Sequence, residues 1–209
     1  MRSSAVPQNK RQFVTILSVN KTTESKGMGT LYPFFFCKGD PMNRKARFTA
    51  YSSIIAALYV ALTYFQNFLL PGSASWAVQF RVSEALCVLA LFTPAAIPGL
   101  SLGCLLFNLS FAGALPLDFL VGTLASGLSA AGMYFTRRFT VKGYPHFSML
   151  MPALFNALLV GWELDFYIGG GFWLNALYVA IGEAAVLLTL GSILFYTIKV
   201  RHLDSRLFG

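Results

Sequence analysis

Apolar residues occur in long runs between residues 48 and 198, and short segments rich in proline, glycine and charge separate the runs. A helix that crosses a membrane needs about 20 apolar residues. Measured against that length, the runs predict six helices. Proline disfavours helical geometry in the residue before it, so Pro94 ends the second helix at Thr93. The predicted helices are 48–70, 81–93, 96–112, 116–136, 147–166 and 172–198.

The composition supports a membrane protein over a soluble one. Of the 209 residues, 56% are hydrophobic and 11% are charged. A soluble domain carries about 25% charged residues. A soluble all-helical protein is the alternative, and the low charge disfavours it. We therefore expect an all-α integral membrane protein with six transmembrane helices, embedded in a lipid bilayer as a multi-pass protein of the cell membrane.

The basic residues are placed as in cytoplasmic loops and tails. Nine of the 16 lysines and arginines precede residue 48, three lie at 137–142 and three at 199–206. Six helices put both termini on one side, and the positive-inside rule then makes both termini cytoplasmic. Only Arg81 falls on the outer side. A nucleic-acid-binding protein would instead carry its basic residues along one face of a folded domain.

Three regions follow from this pattern. Residues 1–43 are polar, basic and aperiodic, so they are either a disordered cytoplasmic tail or the product of a mis-assigned start, with Met42 as the true first residue. Residues 44–200 form the six-helix domain, and residues 201–209 form a short cytoplasmic tail. The segment 71–79, which precedes Arg81, is a candidate lid.

Acidic residues inside the membrane region are the strongest functional signal. A charged side chain at the bilayer centre costs about 2.5–3.5 kcal/mol, so it must face a bundle interior, a cavity or an interface. In the predicted topology these residues gather toward the outer half, together with Asn108 and Asn156. This distribution predicts a pocket that opens outward. Five of the eight acidic residues lie in or beside predicted helices: Glu84, Asp118, Glu163, Asp165 and Glu183.

Each candidate has a structural alternative. Arg81 and Glu84 could form a plain interfacial ion pair, since residues three apart meet on a helix. Asp118 could be a helix N-terminal charge that the helix dipole favours. Trp162 could stack on a planar ligand or belong to an interfacial aromatic belt.

Several classes of site have no residues to form them. No glycine-rich phosphate loop ends in Lys-Ser or Lys-Thr, which argues against ATP hydrolysis. The two histidines, His146 and His202, fall in cytoplasmic segments, so no histidine metal cluster or Ser–His pair is predicted inside the membrane. We therefore expect no metal, no cofactor and no enzymatic activity.

Helix 1 carries a stripe of small residues. Ser53, Ala57 and Ala61 recur every four residues and form a flat face that another helix can approach closely. This face could serve packing within the bundle or docking to a partner subunit.

The run FRVSEALCVLALFTPAAIPGLSLGCLLFNL resembles the QueT family of queuosine-precursor transporters, and so do the later segments NALLVGWEL and FWLNALYVAIGEAAVL. The resemblance extends from Met42 to about Leu194. It implies the substrate-binding S component of an energy-coupling factor transporter, which works with a transmembrane coupling subunit and two cytoplasmic ATPases. Ala57 and Ala61 match the Ala-x-x-x-Ala motif that meets the coupling subunit in such proteins.

The ligand that the resemblance implies is a 7-deazaguanine precursor of queuosine, or the base queuine. A guanine-like ring presents N–H donors on one edge, and a carboxylate accepts two of them in a charge-assisted pair. A second carboxylate could neutralise an aminomethyl cation. The candidate substrate-binding residues are Arg81, Glu84, Asn108, Asn156, Trp162, Glu163 and Glu183.

Two other functions remain open. A stand-alone secondary carrier for nucleobase-like solutes would share the pocket but need no ATPase. An assembly subunit would bind no small molecule, and its acidic residues would be packing pairs.

Overall fold

The helices of the structure occupy the segments that the sequence pattern predicts. The computed structural model describes residues 43–71, 80–111 and 113–203. A 3-10 helix, Val82–Leu91, lies between the first two α-helices, and a π-helical turn, Leu187–Gly191, lies between the last two. The α-helices are α1 (Arg44–Leu69), α2 (Ala96–Ser110), α3 (Asp118–Thr136), α4 (His146–Ile168), α5 (Phe172–Val186) and α6 (Ser192–Val200).

The lengths and compositions of these helices are those of a membrane protein. Among the described residues, four helices are long and apolar enough to cross a bilayer: α1, α3, α4 and the continuous Phe172–Val200 helix that α5 and α6 form together. The 3-10 helix and α2 are shorter apolar helices. The all-helical membrane architecture is therefore confirmed. The number of crossings and the side on which the termini lie stay predictions.

Some expectations concern residues outside the described ranges. The proposed tail or mis-assigned start falls at residues 1–43, of which only Asn43 is described. The candidate lid at 71–79 is described only at Pro71, and the C-terminal tail only at 201–203. These three interpretations stay predictions.

The predicted second helix is a 3-10 helix, and it lies at the centre of the bundle. It contacts each of the six α-helices and the π-helical turn. Seven of its ten residues are buried. A 3-10 helix rises about 2.0 Å per residue, so ten residues span about 20 Å, more than an α-helix of that length would. Its three-residue period also places Glu84, Cys87 and Ala90 above one another on one side.

Local sequence explains where the helices begin. The side chain of Asn43 accepts a hydrogen bond from the Lys45 N–H and caps α1. Pro94 follows the 3-10 helix and separates it from α2, as the sequence predicts. The carboxylate of Asp118 accepts a 2.8 Å hydrogen bond from the Leu115 N–H, which closes the turn that leads into α3.

Two glycines let α1 and α2 pack closely. A methyl group added at Gly99 would lie 2.8 Å from the Ser52 carbonyl oxygen, and one added at Gly103 would lie 2.7 Å from Tyr59 Cβ. No larger residue fits at either position without moving the helices apart. This approach brings the buried face of α1, which includes Tyr59, against the interior of the bundle.

The interior between the two ends of the bundle is apolar. Val88, Leu100, Met133 and Met149 are fully buried there and belong to one hydrophobic cluster. At one end of the bundle the chain turns tightly between α3 and α4 through Lys142 and Gly143, both with positive φ. The polar residues of interest lie at the other end.

Candidate functional site

Five charged side chains that the sequence singles out are buried. Arg81, Glu84, Asp118, Glu163 and Glu183 each expose 7% or less of their surface. They come from the start of the 3-10 helix, the start of α3, the end of α4 and the second half of α5. Because α3 and α4 are consecutive packed helices joined by a tight turn, the start of one lies beside the end of the other. The sequence predicts that these polar residues gather toward one end of the bundle, and this arrangement agrees with that prediction.

These side chains interact with one another. Arg81 interacts electrostatically with Glu84 and Asp118. Glu163 interacts with the Asp118 carboxyl group and with Arg81. Glu183 interacts with Glu84 and Arg81. We call these five residues the acidic cluster. It sets one cation against four carboxyl groups in an interior where charge is costly.

Glu84 is the carboxylate with the fullest set of partners. Its Oε1 accepts hydrogen bonds from the Tyr59 hydroxyl at 2.8 Å and the Ser126 hydroxyl at 3.1 Å. Its Oε2 accepts from the Cys87 thiol at 3.1 Å, as the 3-10 period allows. Glu84 is therefore held rigidly between α1, the 3-10 helix and α3, which a plain interfacial ion pair with Arg81 would not require.

The other acids of the cluster keep unpaired oxygens. Both carboxyl oxygens of Glu163, one of Glu183 and one of Asp118 are buried without a hydrogen-bond donor among the described residues. The Nε of Arg81 is likewise unpaired. Buried polar atoms are nearly always hydrogen-bonded. Several unpaired carboxyl oxygens in one place therefore indicate a site where a ligand with hydrogen-bond donors can bind.

Asn108 and Gly122 shape the wall beside Arg81. The amide of Asn108 donates a 2.7 Å hydrogen bond to the Asp118 carbonyl oxygen and so ties α2 to α3. A methyl group at Gly122 would lie 2.8 Å from that amide nitrogen and 3.8 Å from the Arg81 guanidinium. The absence of a side chain at Gly122 therefore leaves room for both groups.

Asn156 lies in the interior of the bundle, whereas Trp162 lies on its surface. Asn156 is buried, and its amide interacts with the Glu183 carboxyl group. Trp162 exposes 51% of its surface and stacks on Phe166. Consecutive α-helical residues are about 100° apart, so a Glu163 that points inward turns its neighbour outward. The structure does not bring Trp162 to the acidic cluster, and this favours the aromatic-belt alternative.

Gln66 fixes the backbone from which Arg81 projects. Its side-chain amide donates to the Phe80 carbonyl oxygen, and its carbonyl accepts a 2.7 Å hydrogen bond from the Val82 N–H. The peptide groups on both sides of Arg81 are thereby attached to α1. This attachment directs the Arg81 side chain inward.

Sequence reasoning missed the residues that position the cluster. Tyr59, Gln66, Cys87 and Ser126 are polar or weakly polar residues within largely apolar helices. A signal for two of them existed in α1, where Ser52, Tyr59, Thr63 and Gln66 lie on the buried face. Polar residues on one face of a membrane helix indicate the side that faces the protein interior.

The carboxyl groups of the cluster are not placed to share a metal ion. Within the described ranges, no group of three or more histidine, cysteine, aspartate or glutamate side chains is placed to hold a metal ion. The arrangement is instead suited to a ligand that brings positive charge and N–H donors.

The stripe of small residues on α1 faces away from the bundle. Ser53, Ala57 and Ala61 are exposed, whereas Ile55, Ala56 and Tyr59 of the same helix are buried. Of the two uses that the sequence allows, packing within the bundle is therefore wrong. A flat, exposed helix face remains available for another helix.

Comparison with known proteins identifies the family of the chain. A family model described as QueT transporter matches residues 49–200, which include all of the acidic cluster and most of α1. No curated protein and no solved structure matches the chain.

Proposed function

The chain belongs to the QueT transporter family, and from this premise we propose that it is the substrate-binding S component of an energy-coupling factor transporter that imports a queuosine precursor. Membership and the long apolar helices make it a multi-pass membrane protein that transports a small molecule across a lipid bilayer. It is a transporter rather than an enzyme. The class of transporter and the ligand are the proposed part.

The unpaired carboxyl oxygens of the acidic cluster are the observation that carries this proposal. Three acids with open acceptor positions, Asp118, Glu163 and Glu183, surround one arginine. A 7-deazaguanine base offers N–H donors along one edge, and an aminomethyl substituent adds a cation. Such a ligand would fill the acceptors and offset the excess negative charge.

We assign different roles to the carboxylates. Glu163 and Glu183 have open oxygens, so they contact the ligand. Glu84 already accepts three hydrogen bonds, so it orients Arg81 and the surrounding hydroxyl groups. Asn156 positions the Glu183 carboxyl group. Asn108 positions Asp118 by donating to the Asp118 carbonyl oxygen.

The exposed stripe of α1 supports a partner subunit. Ala57 and Ala61 lie on the outward face of the helix, where they would contact the transmembrane coupling subunit, which in turn binds two ATPases. The buried apolar cluster that includes Leu100 and Met133 separates the acidic cluster from the opposite end. A filled interior of this kind supports substrate capture by this chain and translocation by the complete complex, more than conduction by the chain alone.

The distribution of basic residues supports the proposed orientation. The α3–α4 turn and the end of α6 carry Arg137, Arg138, Lys142 and Lys199, and the positive-inside rule supports a cytoplasmic location for this end. The acidic cluster would then face outward in the cell membrane, with both termini inside.

Ligand binding to the detergent-purified chain tests the proposal. We would titrate queuine, 7-aminomethyl-7-deazaguanine, guanine and riboflavin by calorimetry. Selective binding of a deazaguanine without any partner protein is the expected result. If none of the four binds, the ligand assignment is wrong. Asp165, which bonds the Gly171 N–H outside the cluster, supplies the control variant Asp165→Asn.

Uptake by cells separates the S component from a stand-alone secondary carrier. Cells that express this chain alone should not accumulate the ligand, whereas cells that also express a coupling subunit and ATPases should. Accumulation by the chain alone would establish the carrier instead.

A further inference from the structure

A cleft of about 150 Å³ opens at the end of the bundle opposite the acidic cluster. It lies where the 3-10 helix ends, where α3 meets the following turn, and beside α6. Its polar lining residues are Arg137, Thr140 and Lys199, and Gly143 and the apolar residues Leu91, Phe92, Pro145 and Phe195 form the rest of its wall. None of the described residues that line it is acidic. We call it the basic cleft.

The two cations of the basic cleft are held by aromatic rings. The Arg137 guanidinium lies 3.9 Å from the centre of the Tyr134 ring, and Lys199 Nζ lies 5.6 Å from the centre of the Phe92 ring. Cation–π contacts of this kind fix the positions of side chains that are otherwise mobile. The cleft therefore presents two positioned positive charges.

The wall formed by the α3–α4 turn is also fixed. Val141 and Tyr144 pair through their backbones, and the Tyr144 hydroxyl bonds to Ser192. The Tyr144 ring packs between Phe195 and Tyr196. The shape of the cleft is thus fixed by the fold, because the α3–α4 turn is anchored to α6.

From this geometry we infer that the basic cleft binds the headgroup phosphate of an anionic phospholipid. A phosphate oxygen pairs with Arg137 and Lys199, and basic pockets between membrane helices at the cytoplasmic side suit this role. The apolar floor favours a lipid over free phosphate. So do the exposed apolar side chains near this end of the bundle, which would contact acyl chains in a bilayer: Phe135, Phe139, Phe147 and Ile193.

Native mass spectrometry of the detergent-purified full chain tests this inference. Phosphatidylglycerol and phosphatidylcholine are added at equal concentration, and inorganic phosphate is added separately. We expect retention of phosphatidylglycerol, and about tenfold weaker retention by the Arg137→Gln, Lys199→Gln double variant. The matched control is Arg138→Gln, Arg201→Gln, which removes two exposed charges that do not line the cleft, and we expect it to retain the lipid.

Three results would overturn the inference: equal retention of phosphatidylcholine, displacement of the lipid by inorganic phosphate, or the same loss in the control variant. Should the double variant fail to fold, Lys199→Gln alone serves, because the Lys199 side chain is exposed at the end of α6. It should then lose part of the lipid retention, and unchanged retention would count against the site. Binding of the transported base is a separate readout, and we expect the cleft variants to keep it.

Discussion

The Tyr59 hydroxyl donates a 2.8 Å hydrogen bond to Oε1 of Glu84, and both residues are almost fully buried. This bond joins the inner face of α1 to the central 3-10 helix. It places a side chain of the helix that carries the exposed Ala57 and Ala61 in direct contact with the acidic cluster. The opposite faces of α1 would thus serve the proposed ligand site and the proposed partner surface.

The first prediction concerns this bond. Tyr59→Phe removes one of three donors to the buried Glu84 carboxylate, and we expect a loss of about 1–3 kcal/mol in the free energy of unfolding. Affinity for the deazaguanine should also fall, because Glu84 loses its fixed position. Calorimetry and thermal unfolding in detergent measure the two effects. The control is Tyr64→Phe, since the hydroxyl of the exposed Tyr64 bonds to Ser110 at the surface. If both variants changed affinity and stability equally, Tyr59 would have no specific role in the candidate site.

The second prediction separates a binding site from packing pairs. Glu163→Gln and Glu183→Gln should each weaken ligand binding by well over tenfold, about 1.4 kcal/mol or more. Without ligand, the same variants should unfold at a temperature equal to or higher than the parent chain, because each removes a buried carboxyl group with unpaired oxygens. If the acids were packing pairs of an assembly subunit, both variants would instead unfold earlier. Calorimetry and thermal unfolding decide between these outcomes.

The third prediction assigns a positioning role to Gln66. Gln66→Leu leaves the Phe80 carbonyl and the Val82 N–H without this partner, so Arg81 should lose its inward direction. We expect weaker ligand binding at temperatures well below the unfolding midpoint. Asn67→Leu is the matched control, because the Asn67 amide donates to Thr63 within its own helix. If Gln66→Leu lowers stability but leaves the affinity unchanged, Gln66 has a structural role alone.

Much of the fold could be predicted because membrane helices are long and apolar. The pattern places the ends of most predicted helices within a few residues of the observed ones, and it identifies Pro94 as the break before α2. The 3-10 geometry of 82–91 could not be predicted, because an apolar run of ten residues does not distinguish a central 3-10 helix from an α-helix. That geometry decides which residues meet Glu84.

The site was predictable to the extent that charge inside a membrane is costly. This principle identifies Glu84, Glu163 and Glu183 from sequence. It does not identify Tyr59 or Ser126, because single hydroxyl groups are tolerated in apolar helices and their partners lie 25 and 42 residues away along the chain. For Trp162, adjacency in sequence to Glu163 was misleading, since neighbours on a helix point in different directions.

The fourth prediction tests the close packing that sets α1 against α2. Gly103→Ala would place a methyl group 2.7 Å from Tyr59 Cβ and 3.0 Å from the Ala56 carbonyl oxygen. Neither atom can move without the helix, so we expect a loss of about 1–3 kcal/mol in stability. Gly127→Ala is the control, because its nearest contact is the Ser101 hydroxyl, which can rotate away. Thermal unfolding should distinguish the two variants, and equal midpoints would contradict the packing argument.

The fifth prediction separates ligand capture from transport. Ala57→Leu and Ala61→Leu add bulk to the exposed face of α1 and touch none of the acidic cluster. We expect both variants to bind the deazaguanine with unchanged affinity but to lose most uptake in cells that express the coupling subunit and ATPases, because a small-residue face is needed for close helix contact. Ala185→Leu adds the same bulk to an exposed position on α5 and should leave both activities intact. Full uptake by the Ala57 and Ala61 variants would mean that the coupling subunit docks elsewhere. Loss of binding would mean that the stripe supports the ligand site from outside, through the same helix that holds Tyr59 against Glu84.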